Sequence, residues 1–543
     1  MDSPADESLR RRLAALLVVR ASGHLADPQR RYPRWELANA KLQRLLASGV
    51  GGVILLGGSA AELRLRTRQL LAWAGGPLLL CADVEEGVGQ RFEGASWLAP
   101  PLAVGRLWRS DPSAAISLAR RYGSCTGREA RQLGLNWVLG PVCDVNNNPA
   151  NPVINVRAWG EESQGVAALV EAFCQGAQAE GVLCCAKHFP GHGDTASDSH
   201  LELPLLPHDR KRLEAIELPP FRRVIAAGVA SVMTAHLLLP ALDPQRPATL
   251  SPTVLTGLLR NDLGFGGLIV TDALVMEAIA GRWGAGEAAV LALEAGADLV
   301  LMPADADTAL DAIVAAVRSG RLSGQRLEQS LERRRHALEQ AAPPPMDDDP
   351  AAPLAELSNG PMPVDRELAA QLLRGSLERQ GLHWSARGLG GVNMVRLDST
   401  LGCPFLGPSS PALELPAAAG LQPLLLDGRS PSLWSGDPER PLALERLGEG
   451  PVLLQLFVRG NPFRASAGSN EPWPQVLRQL LEANRLAGMA VLGSPYLWES
   501  LRQELPERIP AAYSPAQMPA AQQIVLTALG LGAGAESADA FTD

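Results

Sequence analysis

The chain has little of what marks several large classes of protein. Aromatic residues make up 4% of its 543 residues and no basic stripe is interleaved with them, which argues against a nucleic-acid groove. A net charge of -9 adds no acidic or basic tail to that picture. No apolar run approaches the roughly 20 residues that a membrane span requires, so no membrane partner is expected. The seven cysteines (Cys81, Cys125, Cys143, Cys174, Cys184, Cys185 and Cys403) show no CxxC spacing. Several lie inside apolar runs and read as small buried residues of a reducing, cytoplasmic compartment. Arg10-Arg11-Arg12 followed by apolar residues imitates a secretory leader. That apolar run is short and is interrupted at Arg20, and it reads instead as a first strand after a short helix.

Three motifs are also missing. There is no GxGxxG between a strand and a helix, no HExxH and no GxSxG. The first absence removes the support for a doubly wound dinucleotide-binding sheet, the second for a helix-borne zinc site, and the third for a serine nucleophile elbow. No cofactor and no metal are expected.

What is present is order. Up to about residue 340, short apolar runs alternate with Gly/Pro/Asp loops and amphipathic stretches. Eight runs stand out, at 16–20, 52–56, 77–83, 137–145, 182–188, 231–236, 268–272 and 299–302. Helical stretches are expected at 113–133, 162–179, 210–227 and 307–318. Eight such alternations predict an α/β fold, a (β/α)8 TIM-type barrel, over 1–340. A Pro- and Asp-rich segment, 341–363, reads as a linker. Apolar runs at 392–397, 422–426, 452–458 and 489–492 then predict a smaller α/β sandwich-like C-terminal domain over 364–543.

Lysine is scarce, with three among 49 basic residues, and one of the three opens the densest polar segment of the chain. Four of the eight histidines lie between 188 and 208, three of them within Lys187-His188-Phe189-Pro190-Gly191-His192-Gly193-Asp194-Thr195-Ala196-Ser197-Asp198-Ser199-His200. Several apolar runs end in a titratable group: Asp83, Asp144, Lys187-His188, His236 and Asp272. Any one of them could cap a helix, but five exceed what capping needs, and in a barrel they converge on one rim. Asp272, directly after an apolar run, is placed to act as a nucleophile. His200 can donate and recover a proton near neutral pH, and Asp198 would orient the ring. The rival reading of His188, His192, Asp194, Asp198 and His200 as metal ligands is weakened by their Gly/Pro loop.

The segment 187–200 resembles the signature of the β-N-acetylglucosaminidase (NagZ-like) branch of glycoside hydrolase family 3. Further matches follow in order: Asp83-Val84-Glu85-Glu86-Gly87-Val88-Gly89-Gln90-Arg91-Phe92, Gly140-Pro141-Val142-Cys143-Asp144, Asn155-Val156-Arg157-Ala158-Trp159-Gly160, Pro247-Ala248-Thr249-Leu250-Ser251 and Thr271-Asp272-Ala273-Leu274. The resemblance implies Asp272 as nucleophile, His200 as general acid/base and Asp198 as its dyad partner. It implies Asp83, Arg91, Arg157, Lys187 and His188 as holders of the terminal sugar. Two departures stand out: Val84 and Glu86 alter a turn that the family writes Asp-Gln-Glu-Gly-Gly, and Ala273 replaces a second aspartate that often follows the nucleophile.

The implied activity is a retaining exo-β-N-acetylglucosaminidase acting on small-molecule GlcNAc glycosides, with peptidoglycan fragments or chitobiose supplying the aglycone. The alternatives are a phosphorylase using the same residues and a non-catalytic sugar-binding barrel.

Overall fold

Eight short, almost wholly apolar runs form eight parallel strands, as expected for strands covered on both faces. They are β1 (Leu17–Ala21), β2 (Gly52–Leu55), β3 (Leu79–Ala82), β4 (Trp137–Val138), β5 (Leu183–Phe189), β6 (Ser231–Thr234), β7 (Leu268–Val270) and β8 (Val300–Leu301). Each falls on one of the eight runs read from the sequence, with β1 and β5 running one residue past theirs, to Ala21 and Phe189. The strand order is β8-β1-β2-β3-β4-β5-β6-β7. Leu17 pairs with Val300, and a parallel bridge between Val270 and Leu299 joins the two ends of the sheet, so the barrel closes. Its interior is packed with side chains such as Val18, Ile54, Trp137, Leu183, Met233 and Leu301.

This computed structural model describes residues 4–195, 203–343, 361–381, 390–397, 403, 405–427, 433–459 and 471–532. By its contacts the chain divides into two units, residues 1–369 and 370–543. Of the expected linker, 344–360 lie outside the described residues. Among the described residues no helix is long and apolar enough to cross a membrane.

Pro112–Gln132, Ser163–Ala179 and Ala306–Arg318 are helices where the periodicity placed them. Two start on aspartate caps, Asp111 and Asp305, whose side chains accept from Ala114 N and Thr308 N. The stretch expected as one helix over 210–227 is two, Arg210–Ala215 and Leu218–Ala226. The reason is Pro219-Pro220: proline cannot continue a preceding helix but fits the first turn of a new one.

The second unit carries a six-stranded sheet of β9 (Glu378–Gln380), β10 (Val392–Arg396), β11 (Gln422–Leu426), β12 (Val452–Val458), β13 (Leu486–Gly493) and β14 (Ala511–Ser514). Its order is β9-β14-β13-β12-β10-β11. All neighbours are parallel except β9 against β14. Helices Trp473–Glu482 and Pro495–Arg502 bury Trp473 and Trp498 in its core, where Trp498 stacks on Tyr513 with ring centroids 5.8 Å apart.

At the opposite end of the barrel from the strand C-termini, Asp298 enters β8 fully buried. Its carboxylate accepts from Ile269 N at 2.9 Å and from Ser330 Oγ at 2.8 Å, and it pairs with Arg260, with Arg333 at 3.0 Å and with Arg326 at 3.3 Å. One carboxylate thus ties β7, β8, the 253–262 helical turn and the closing helix Gly324–Gln340 together. Asp298→Asn leaves these arginines clustered without their counter-charge. It is expected to lower the unfolding free energy by about 3–5 kcal/mol. Chemical denaturation checks this, and a loss below about 1 kcal/mol, the scale of an exposed pair, would contradict it.

Candidate active site

The C-terminal ends of parallel strands share one rim, and the polar residues picked from the sequence lie there. Asp83 directly follows β3, Lys187 and His188 lie within β5, and Asp272 is two residues past β7. Asp144 and His236 follow β4 and β6.

A network of alternating charges joins the first of these. The Lys187 side chain, 1% exposed, reaches Asp83 Oδ1 at 2.8 Å and Glu85 Oε1 at 2.6 Å. Glu85 also accepts a two-pronged contact from Arg157, Nε to Oε2 at 2.7 Å and NH2 to Oε1 at 2.8 Å. Arg157 NH1 donates to Val153 O, and Arg91 Nε donates to the Asp83 carbonyl at 3.0 Å. Burial alone would push Glu85 toward its neutral form, yet Arg157 and Lys187 hold it well below the usual carboxylate range. Burial likewise works against the Lys187 charge, and Asp83 and Glu85 more than restore it. Glu85, Arg157 and Lys187 are therefore ionised at neutral pH. Asp83, at 30% side-chain exposure, is the most open member of the network.

A second carboxylate organises the histidine segment. Asp144, fully buried, accepts from His188 Nδ1 at 2.7 Å through Oδ2, and from the backbone N–H groups of His188 and His192 at 3.3 and 2.6 Å through Oδ1. Because a carboxylate only accepts, His188 carries its proton on Nδ1. Burial raises Asp144, but the two histidines bring it below its ordinary value. Asn151 Nδ2 donates to the carbonyls of His192 and Gly193 at 2.8 and 2.9 Å. Gly193 is required there, since a Cβ would sit 1.8 Å from Val145 O. Asp194 pairs with His208 at 2.9 Å and with Arg212 at 3.1 Å. Three peptide bonds in this region are cis: Gly140-Pro141, Lys187-His188 and Phe189-Pro190. Asp198 and His200 lie outside the described residues.

Asp272 is partly buried. Its backbone N–H points at Thr234 Oγ1, 3.4 Å away, and its Oδ1 accepts from Ala273 N at 2.7 Å. The described residues also hold one thiol–carboxylate group outside this strand-end cluster, Cys125, Glu129 and Asp365, with ligand atoms within 4.8 Å of one another. Glu129 there accepts from Ser96, and Asp365 pairs with Arg128 at 2.5 Å.

Sequence reading named Asp83, Lys187 and Arg157 but not the group that links them. Glu85 stood inside the quoted turn without a role. The available signal was charge balance, because two buried cations need more than the single carboxylate of Asp83.

A closed parallel barrel whose strand ends gather buried, paired charges around a half-open carboxylate is the frame of a barrel enzyme for a small polar substrate. Residues 8–336 match the glycosyl hydrolase family 3 N-terminal domain and residues 386–530 the bacterial glycosyl hydrolase family 3 C-terminal domain. The chain belongs to glycoside hydrolase family 3 and is a glycoside hydrolase. It is similar to beta-hexosaminidase A of Pseudoalteromonas piscicida, 39% identical over 42% of this chain and 40% of that protein. It is also similar to the beta-hexosaminidase of Nitrosomonas eutropha, 36% identical over 52% of this chain and 83% of that protein. Among solved structures, a family 3 beta-N-acetylglucosaminidase from a Paenibacillus species superposes with a TM-score of 0.74 at 28% identity, covering 96% of this chain and 97% of the other.

His192 gives this site a pH signature. Its ring is 2% exposed, and burial outweighs the pull of Asp144 and brings its pKa from 6.5 to about 4. The unfolded chain therefore takes up a proton at this position near pH 6.5, and the folded one only near pH 4. The stability this contributes is complete above about pH 6.5 and is lost as pH falls toward 4, by about 3 kcal/mol in all. His192→Asn keeps a polar group for Thr195 but does not titrate. Between pH 7.5 and 4.5 the unfolding free energy of the wild type should fall by roughly 3 kcal/mol more than that of the variant. Equal falls in urea titrations would show that His192 is not the buried neutral ring described.

Proposed function

We propose that the chain is a retaining exo-β-N-acetylglucosaminidase that releases non-reducing terminal GlcNAc by double displacement, with residues 1–340 carrying the catalysis. Asp272 attacks the anomeric carbon while His200 gives its proton to the leaving oxygen, so the glycosidic bond breaks as the Asp272 ester forms. His200 then takes a proton from water, the water oxygen attacks the same carbon, and the ester bond breaks to restore Asp272. Asp198 orients the His200 ring and favours its charged form. Asp83, Arg91, Arg157, Lys187 and His188 hold the terminal sugar.

The observation that carries this reading is the pairing of Asp272 on one strand end with the Asp83–Lys187–Glu85–Arg157 network on others of the same rim. The fixed, counterbalanced charges define a small polar cradle, and Asp272 supplies the carboxylate chemistry from another strand end of the same barrel. The names carried by the similar proteins support GlcNAc as the sugar and hydrolysis as the outcome. Most retaining glycosidases use two carboxylates, so a histidine as proton donor departs from that rule. Peptidoglycan-derived fragments as substrate and a cytoplasmic site of action are part of the proposal. Free thiols at Cys81, Cys125, Cys143, Cys174, Cys184, Cys185 and Cys403 suit the second point. The C-terminal domain, 364–543 beyond a linker at 341–363, supplies no catalytic group in this scheme.

A fluorinated GlcNAc donor should leave one adduct on the protein, mapped by peptide mass spectrometry to Asp272, and Asp272→Ala should lose turnover almost completely. His200→Gly should harm substrates with poor leaving groups far more than activated aryl glycosides, because a good leaving group needs little protonation. Labelling at Asp83 or Asp144, or equal loss on both substrate classes, would overturn these assignments. Sugar phosphate formed in phosphate buffer would make the enzyme a phosphorylase.

A further inference from the structure

Resting on Asp272 as nucleophile, we infer that His236, buried behind it, is the positioning residue that sets the nucleophile's orientation, in the place of the second aspartate that Ala273 replaces. His236 follows β6 and is fully buried. Its two ring nitrogens lead to the two backbone groups that fix Asp272. On one side Nε2 lies 3.1 Å from the carbonyl of Ala273, the residue whose N–H donates to Asp272 Oδ1. On the other, Nδ1 lies 2.8 Å from Thr249 Oγ1, which lies 2.8 Å from Thr234 Oγ1, the atom that faces the Asp272 N–H.

Proton counting gives this chain a direction. A carbonyl oxygen only accepts, so Nε2 carries a proton, and Nδ1 meets the Thr249 hydroxyl. Thr249 in turn accepts from the Thr234 hydroxyl, and Thr234 accepts from Asp272 N–H. The Thr249 hydroxyl also lies 2.9 Å from the Ala235 carbonyl, an alternative acceptor for its single proton. Both N–H groups flanking the Asp272 side chain, its own and that of Ala273, are thus referred to one imidazole. A carboxylate at 273 would orient its neighbour by direct contact; here the ring does so through the backbone.

The test separates orientation from folding and from proton donation. His236→Gln keeps a donor that can reach the Ala273 carbonyl, whereas His236→Leu removes both ring contacts at similar volume. Thr249→Val cuts the hydroxyl relay, together with the Thr249 bond to the Ala235 carbonyl, and leaves the ring contact to Ala273 in place. The readouts are the rate at which a fluorinated GlcNAc donor esterifies Asp272, the affinity for free GlcNAc as a competitive inhibitor, and the thermal midpoint.

In His236→Leu, esterification should slow by roughly 10²-fold, equally for good and poor leaving groups, with GlcNAc affinity unchanged. His236→Gln should recover much of that loss, and Thr249→Val should fall between the two. A folded His236→Leu protein that esterifies Asp272 at the wild-type rate would overturn the inference. So would a loss confined to GlcNAc affinity, or the same slowing in His236→Gln. If His236→Leu does not fold, the glutamine and valine variants decide: wild-type rates in both sink the idea. An adduct on a residue other than Asp272 would instead overturn the proposed mechanism itself.

Discussion

The site depends on a buried contest between desolvation and Coulomb attraction, decided at Glu85. A carboxylate that deep in a barrel would ordinarily take a proton, and Lys187 and Arg157 would then be two cations with little to balance them. With Glu85 ionised, two carboxylates face two cations, and each charge pins the next: Asp83 to Lys187, Lys187 to Glu85, Glu85 to Arg157. The partners lie 104 and 72 residues apart in the chain, so the network can assemble only after the barrel has brought the ends of β3 and β5 together. Its members are fixed by one another rather than free to reorient. Groups held in this way need little reorganisation when charge develops near them.

A second layer of carboxylate control lies beside it. Asp144 holds the His188 ring and two backbone N–H groups, so the strand end and the turn after it are set by one buried anion. Asn151 does the same for the carbonyls of His192 and Gly193. The polar residues of this region thus divide the work: Lys187 joins the charge network, while Asp144 and Asn151 satisfy backbone groups that a strand-to-loop transition would leave bare.

Much of this was legible in the sequence because barrel strands are short, buried and terminated by polar residues, a pattern that composition alone makes visible. All eight strands coincide with the apolar runs to within one residue, and Asp83, Lys187, His188 and Asp272 were singled out by position at their ends. Glu85 and Asp144 had no readable roles, since what they do is set by partners distant in sequence. Strand β9 was missed for a different reason: Glu378, Arg379 and Gln380 form a partly exposed edge with no apolar alternation, and only pairing with β14 makes them a strand. Pro219-Pro220 was in plain view, yet the amphipathic rhythm running through it suggested one helix where the backbone makes two.

Closure of the barrel by its first and last strands also bears on how the chain is made. Until residues 300–301 have left the ribosome, β1 has one unpaired side and β7 another, and each is an open sheet edge able to pair with a neighbouring chain. The second sheet repeats the arrangement, since the early strand β9 waits for β14, the last to be synthesised. Both sheets are therefore finished by pairings far apart in sequence, which form slowly because a long loop must close first. During synthesis such a protein gains most from whatever shields bare strand edges on the nascent polypeptide, and least from faster translation.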